Sequence, residues 1–123
     1  MKPWKVLVVD DSALTRRSLR QILETAGCEV VEAEDGLSAL ERYYLEKPDV
    51  VMLDLVMRGM YGLDVLHKLR ELDTAARIIV VSADIQSSSH ELAEQAGAMA
   101  FINKPFDKTE ILTALDSALA GAE

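Results

Sequence analysis

Three aspartates, a serine and a lysine each stand at the end of a short apolar run. Asp10 and Asp11 follow Val6-Leu7-Val8-Val9, Asp54 follows Val50-Val51-Met52-Leu53, Ser82 follows Ile78-Ile79-Val80-Val81, and Lys104 comes just after the run from Met99 to Ile102. Singly, each has an ordinary explanation: Asp or Ser after a strand often caps the next helix, and an isolated Lys is usually solvated. Jointly they need another, because capping does not call for three acids in one place. Carboxylates held close together raise one another's pKa, so such a cluster is costly unless a cation sits in it. Oxygen ligands with no His or Cys among them suit a hard cation, Mg²⁺ above all. A carboxylate is also a competent nucleophile that can form an aspartyl phosphate. A metal and a lysine beside it would neutralise charge on a transferring phosphoryl group, so the set points to phosphoryl transfer.

That chemistry requires the four runs to be neighbouring strands, and the rest of the chain is organised to make them so. Between the runs lie helical patterns. Residues 12–26 set Leu19, Ile22, Leu23 and Ala26 on one face, with Gly27 where a left-handed cap belongs. After a second strand at 28–33, Asp35-Gly36 opens a helix carrying Leu37, Leu40 and Tyr44, which Pro48 stops. A loop with Gly59 and Gly62 leads to a helix with Val65, Leu66, Leu69 and Leu72; Ser87-Ser88-Ser89 starts a weaker helix that stops near Gly97. Asp107-Lys108-Thr109-Glu110 has capping-box spacing and precedes the stripe Ile111, Leu112, Leu115, Leu119. Strands that are apolar throughout, rather than alternating, belong in a parallel sheet covered on both faces by helices. In such sheets ligands bind outside the carboxyl ends of the strands, where the five polar residues stand. The expectation is one α/β domain over residues 1–123, without linker or repeat.

Composition narrows the partners. With 123 residues, half of them hydrophobic, and a formal net charge of −8, the chain can build a core. It is poorly suited to nucleic-acid phosphates or anionic membrane lipid, which attract basic surfaces. The single cysteine, Cys28, forms no internal disulfide, and the N-terminus has no signal-peptide pattern, which predicts a reducing, cytoplasmic setting.

The stretches Val8-Val9-Asp10-Asp11-Ser12, Val51-Met52-Leu53-Asp54-Leu55-Val56-Met57, Val81-Ser82-Ala83 and Phe101-Ile102-Asn103-Lys104-Pro105-Phe106 together resemble the receiver domains of two-component response regulators. The resemblance runs from about Lys5 to Leu119 and is nearest to the stand-alone, chemotaxis-type regulators, since no output domain follows. It implies a flavodoxin-like, doubly wound five-stranded parallel sheet of order 2-1-3-4-5 with five helices. It further implies that Asp54 accepts a phosphoryl group from a histidine kinase. Mg²⁺ would be ligated by Asp11, Asp54 and the Val56 backbone carbonyl, with Asp10 acting mainly through water. By the same resemblance Lys104 and Ser82 would contact the phosphoryl oxygens, and the small Ala83 would leave room for its backbone to approach. Phe101 would change rotamer on activation, and Lys104-Pro105 would be cis. The partners implied are the kinase, a downstream target protein reading the face of helix 4, strand 5 and helix 5, and a phosphatase. One departure is plain: receivers commonly carry Pro where this chain has Arg58.

Two other functions use a similar sheet. Phosphohydrolases of the haloacid-dehalogenase type employ an Asp nucleophile and Mg²⁺, but typically have a second Asp two residues later, where Val56 stands, and a cap insertion with no counterpart here. Flavodoxin-like flavin carriers need a hydroxyl- and glycine-rich phosphate loop after strand one, where Asp10-Asp11 would repel a flavin phosphate. His67 and His90 have no companion ligands and are expected at the surface. Cys28 is expected as a small buried hydrophobe, Trp4 as a closure for the bottom of the sheet, and Asp35 as a turn residue.

Overall fold

In the computed structural model, which describes residues 3–84 and 86–122, ten elements alternate strictly. They are β1 (Lys5–Val9), α1 (Ala13–Thr25), β2 (Glu29–Ala33), α2 (Gly36–Glu46), β3 (Val50–Leu53), α3 (Gly62–Leu72), β4 (Ile78–Ser82), α4 (Ser87–Gln95), β5 (Ala100–Asn103) and α5 (Lys108–Leu119). The strands form one sheet in the order β2-β1-β3-β4-β5, with every neighbouring pair parallel.

Side-chain alternation along each strand divides the apolar residues between two cores. Leu7, Val9, Val51, Leu53, Ile78 and Val80 face one side, where Leu66 and Leu69 of α3 and Ala93 of α4 cover them. Val6, Val8, Met52, Ile79 and Val81 face the other, against Leu19 and Leu23 of α1 and Ile111 and Leu115 of α5. Both faces of β1, β3 and β4 are dry, which is why those strands read as unbroken apolar runs, whereas edge strand β2 carries Glu29 and Glu32.

Local chemistry starts and stops the helices where the sequence places the signals. The Ser12 hydroxyl accepts from the Thr15 N–H (3.2 Å) at the head of α1, and the Asp35 carboxylate accepts from the Ser38 N–H (2.7 Å) at the head of α2. Asp35 is therefore a helix cap rather than only a turn residue. Asp107 and Glu110 form a complete capping box on α5. Gly27 closes α1 at φ +93°, and Lys47, at φ +49°, closes α2 ahead of Pro48.

The structure corrects the inward face of α2. Leu37 and Tyr44 are exposed, while Gly36 and Ala39 are buried and Leu40 and Tyr43 pack partly against the core. The reason is close approach: a Cβ on Gly36 would stand 2.7 Å from Val65 and 2.9 Å from Met60, so small residues must occupy that line. Hydrophobicity alone selects the bulkier neighbouring stripe. Leu72 likewise stays exposed at the last position of α3, and Leu63 is buried at its first turn. Cys28 is half-buried just before β2, and Trp4 packs partly against the α1/α5 core.

Candidate functional site

The hydrogen-bond ladder runs one residue past the strands, and that extension is what presents the polar set. The Asp10 N–H donates to the Ala33 carbonyl (3.1 Å), the Asp54 N–H to the Val9 carbonyl (3.0 Å) and the Lys104 N–H to the Ser82 carbonyl (2.9 Å). Arg16, in the first turn of α1, adds a clamp by donating to the Asp10 carbonyl (2.7 Å) while bonding Glu32 (2.8 Å). The side chains at the strand ends are thus oriented by backbone that has little freedom.

Asp10 and Asp54 are almost fully buried, Ser82 is completely so, and Asp11 lies half-buried at the rim. The Lys104 ammonium reaches both inner carboxylates, donating to Asp10 Oδ2 at 2.7 Å and to Asp54 Oδ2 at 3.3 Å. Asp10 Oδ1 accepts from the Ser12 N–H (2.9 Å), and Asp54 Oδ1 from the Val56 N–H (3.1 Å). Asp11 Oδ2 accepts from the Arg58 N–H (3.3 Å). The Lys104–Pro105 peptide is cis.

One ammonium between two buried carboxylates leaves the site with surplus negative charge. Burial pushes the Asp54 pKa up; the Val56 N–H and the Lys104 charge pull against it, and the nearby Asp10 charge adds to the rise. Burial works to lower Lys104, but its bond to Asp10 and the charges of Asp54 and Asp10 outweigh that, and its pKa is raised. Lys104 is therefore a firmly held ammonium, and Asp54 a carboxylate whose pKa is raised by its dry setting.

Oxygens of Asp10, Asp11 and Asp54 lie within 4.8 Å of one another, and no His or Cys joins this group among the described residues. Mg²⁺ demands an octahedron of oxygens at 2.0–2.1 Å, whose opposite corners are roughly 4 Å apart. The carboxylate set is of that size and chemistry, so a hard divalent cation fits.

Ser82 Oγ accepts from the Asp84 N–H (3.3 Å), and Asp84 in turn accepts from the Ser89 hydroxyl (2.6 Å) at the start of α4. A chain of polar contacts thus leads from the end of β4 into α4. Phe101 sits beside β4, paired with Val80 in register, and is half-buried. The imidazole of His90 stacks on it at a centroid distance of 4.7 Å and an interplanar angle of 25°. His90 is exposed, as the sequence suggests, but its ring has a specific partner that sequence spacing did not reveal. His67 lies exposed on α3. Val56 carries an exposed side chain, and Met57 and Met60 pack against the core on the α3 side.

The chain matches the response regulator receiver domain family over residues 6–116. It is 42% identical over 116 residues to the chemotaxis protein CheY of Bacillus subtilis, covering 94% of this chain and 97% of that protein. It is 50% identical over 108 residues to the protein-glutamate methylesterase/protein-glutamine glutaminase 5 of Myxococcus xanthus, covering 85% of this chain but 31% of that much longer protein. Among solved structures, the CheX-CheY-BeF3-Mg²⁺ complex from Borrelia burgdorferi contains a chain that superposes with a TM-score of 0.91 at 34% identity, over 95% of this chain and 90% of that one.

Proposed function

Since this chain belongs to the response regulator receiver domain family, we propose that it works as a phosphorylation switch in which Asp54 takes a phosphoryl group and the α4–β5–α5 face carries the signal to a partner. The single observation that carries this reading is the buried Asp10–Lys104–Asp54 arrangement, with Asp11 at its rim.

Mg²⁺ would be held by Asp11 and Asp54, by Asp10 through water and by the Val56 carbonyl, where it would neutralise phosphoryl oxygens in transfer. An Asp54 carboxylate oxygen attacks phosphorus; the bond from phosphorus to the donor breaks, and the donor keeps the electron pair. On a kinase the donor is a phosphohistidine, and the imidazole leaves. The Lys104 ammonium then exchanges its contact with Asp54 for one with a phosphoryl oxygen. Ser82 donates its hydroxyl to another, and that movement opens space beside β4 into which Phe101 turns. The relatives support partners of these kinds: a CheY of 34% identity was crystallised with CheX, BeF3 and Mg²⁺. A histidine kinase is the proposed donor, and a downstream target and a phosphatase are the proposed readers. The phosphohydrolase alternative is no better supported, since Val56 stands where its second acid is expected.

Intact-protein mass spectrometry after exposure to acetyl phosphate and Mg²⁺ tests the switch directly: one phosphoryl group per chain is expected, and a chain that never gains mass refutes the reading. The metal set has its own check. Asp11→Ala should weaken Mg²⁺ binding by at least about tenfold, as loss of a charged ligand does. Asp35→Ala should leave that affinity within about twofold and lower stability by about 1 kcal/mol, the value of a helix cap. Calorimetric titration decides between them, and equal affinity in Asp11→Ala and parent overturns the assignment.

Signal transmission is tested at Ser82. The phosphoryl group carries up to two negative charges in place of the single charge of the Asp54 carboxylate, and three acceptor oxygens, and a switch moves only through contacts that differ between its two states. Ser82→Ala should still accept phosphate at Asp54 but show none of the phosphate-induced change in amide exchange across residues 86–120. The same change in variant and parent would rule out this coupling.

A further inference from the structure

Arg58 stands where the family commonly has proline, and it touches the rim of the site through two groups. Its backbone N–H donates to Asp11 Oδ2 at 3.3 Å, and its guanidinium Nε lies 3.7 Å from the same oxygen. The side chain is otherwise 90% exposed, so it is held by this one carboxylate and by little else. Beside it opens a groove of about 650 Å³, lined by Asp11, Asp35, Gly36, Arg58 and Met60 among others. Two other acids line the groove: Asp35, which caps α2, and the largely exposed Glu34, 4.0 Å from Arg16. Among the described residues, Arg58 makes no ion pair but the one with Asp11.

The two cations of the site therefore differ in kind. Lys104 is half-buried and bonded to both inner carboxylates. Arg58 is a loose, exposed counter-ion on the outer carboxylate.

We propose that Arg58 positions the anionic phosphoryl donor. In the resting site it neutralises Asp11. When a divalent cation takes that oxygen, the guanidinium is released at the outer edge of the carboxylate cluster, and there it receives the phosphate of the incoming donor. The donor class it serves best is a small acyl phosphate, which has no docking surface of its own to hold it. A planar guanidinium is suited to this because it grips two phosphate oxygens at once. The inference rests on the phosphorylation-switch reading and adds to it a residue outside the motif set.

Its test is a pair of effects opposite in sign, which a merely structural role for Arg58 would not produce. In Arg58→Ala, removing a competitor for Asp11 should tighten Mg²⁺ binding about two- to fivefold, the range of an exposed ion pair. That gain should fade as salt is raised to roughly 0.5 M, where screening is strong. At saturating Mg²⁺, however, the same variant should be phosphorylated by acetyl phosphate about three- to tenfold more slowly, because the local attraction for the anion is lost. Arg58→Lys, which keeps the charge but not the two-pronged grip, should recover only part of that rate. Titration calorimetry with Mg²⁺ alone reads the first effect, and the time course of intact mass reads the second. Mg²⁺ affinity unchanged or weakened in Arg58→Ala, or a phosphorylation rate equal to the parent's, overturns the proposal. A parent chain that neither binds Mg²⁺ nor gains mass overturns the underlying reading as well, and is recognised because the unaltered protein is itself silent.

Discussion

Asp54→Asn is expected to gain no phosphoryl group from acetyl phosphate and Mg²⁺ under conditions that label the parent fully. Three carboxylates share the site, and their environments separate them. Both oxygens of Asp10 are committed, one to the Ser12 N–H at 2.9 Å and the other to Lys104 at 2.7 Å. Asp11 lies at the rim against Arg58. Asp54 holds Lys104 only at 3.3 Å, so the oxygen nearest the ammonium is also the one that can be given up to phosphorus. Burial raises its pKa, and a more basic oxygen is a stronger nucleophile. An asparagine amide of the same shape has neither the charge nor the basicity, so the expected loss is at least about a hundredfold, the scale on which activated nucleophiles matter. The amide should also fold, because Asn keeps an oxygen to accept the Val56 N–H. Labelling of Asp54→Asn at the parent's rate would move the acceptor to another carboxylate.

Gly62→Ala is expected to be the most destabilising small substitution near the site, although Gly62 carries no chemistry. It is the first residue of α3, buried, and its N–H donates to the Leu55 carbonyl at 3.0 Å. A Cβ there would collide with the Leu55 Cα and would stand 2.5 Å from the Asp54 carbonyl oxygen and 2.9 Å from the Leu55 carbonyl carbon. These are backbone atoms of the segment that presents Asp54, and they have no rotamer by which to yield. Overpacking of this kind costs about 2–4 kcal/mol, and any relief must come from shifting Asp54 itself. Urea unfolding with an unchanged slope should show the loss, and Mg²⁺ affinity should fall with it. Gly59 supplies the control: its φ is +87°, but a Cβ there meets nothing within 4 Å. Gly59→Ala should thus cost only about 1 kcal/mol, from conformation alone. Equal stability of Gly62→Ala and parent would mean that the loop is not pinned as described.

Much of the fold was legible from the chain itself because its signals are local. Valine, leucine and isoleucine in unbroken runs of four mark strands buried on both faces. Asp35-Gly36 and the Asp107–Glu110 box mark where helices start, and Gly27 marks where one ends. Once strands and helices alternate, the parallel sheet follows, and the residue after each strand must lie at one edge. The gathering of Asp10, Asp11, Asp54 and Lys104 was readable for that reason, across separations as large as the 94 residues between Asp10 and Lys104.

What periodicity misjudged depends on how closely two elements approach. Hydrophobicity assigns the α2 stripe to Leu37, Leu40 and Tyr44; Leu40 does pack on the core, but Leu37 and Tyr44 are exposed, and the close approach of Met60 and Val65 leaves room only for a glycine at Gly36. The stack of His90 on Phe101 and the grip of Arg58 on Asp11 are likewise decided by tertiary structure. Each joins side chains from separate elements or loops, and neither leaves a period or a motif in either segment. Local sequence determined which elements form and which residues end them. The distances between elements, set by side-chain volume and backbone contact when the layers pack, decided which of those residues touch.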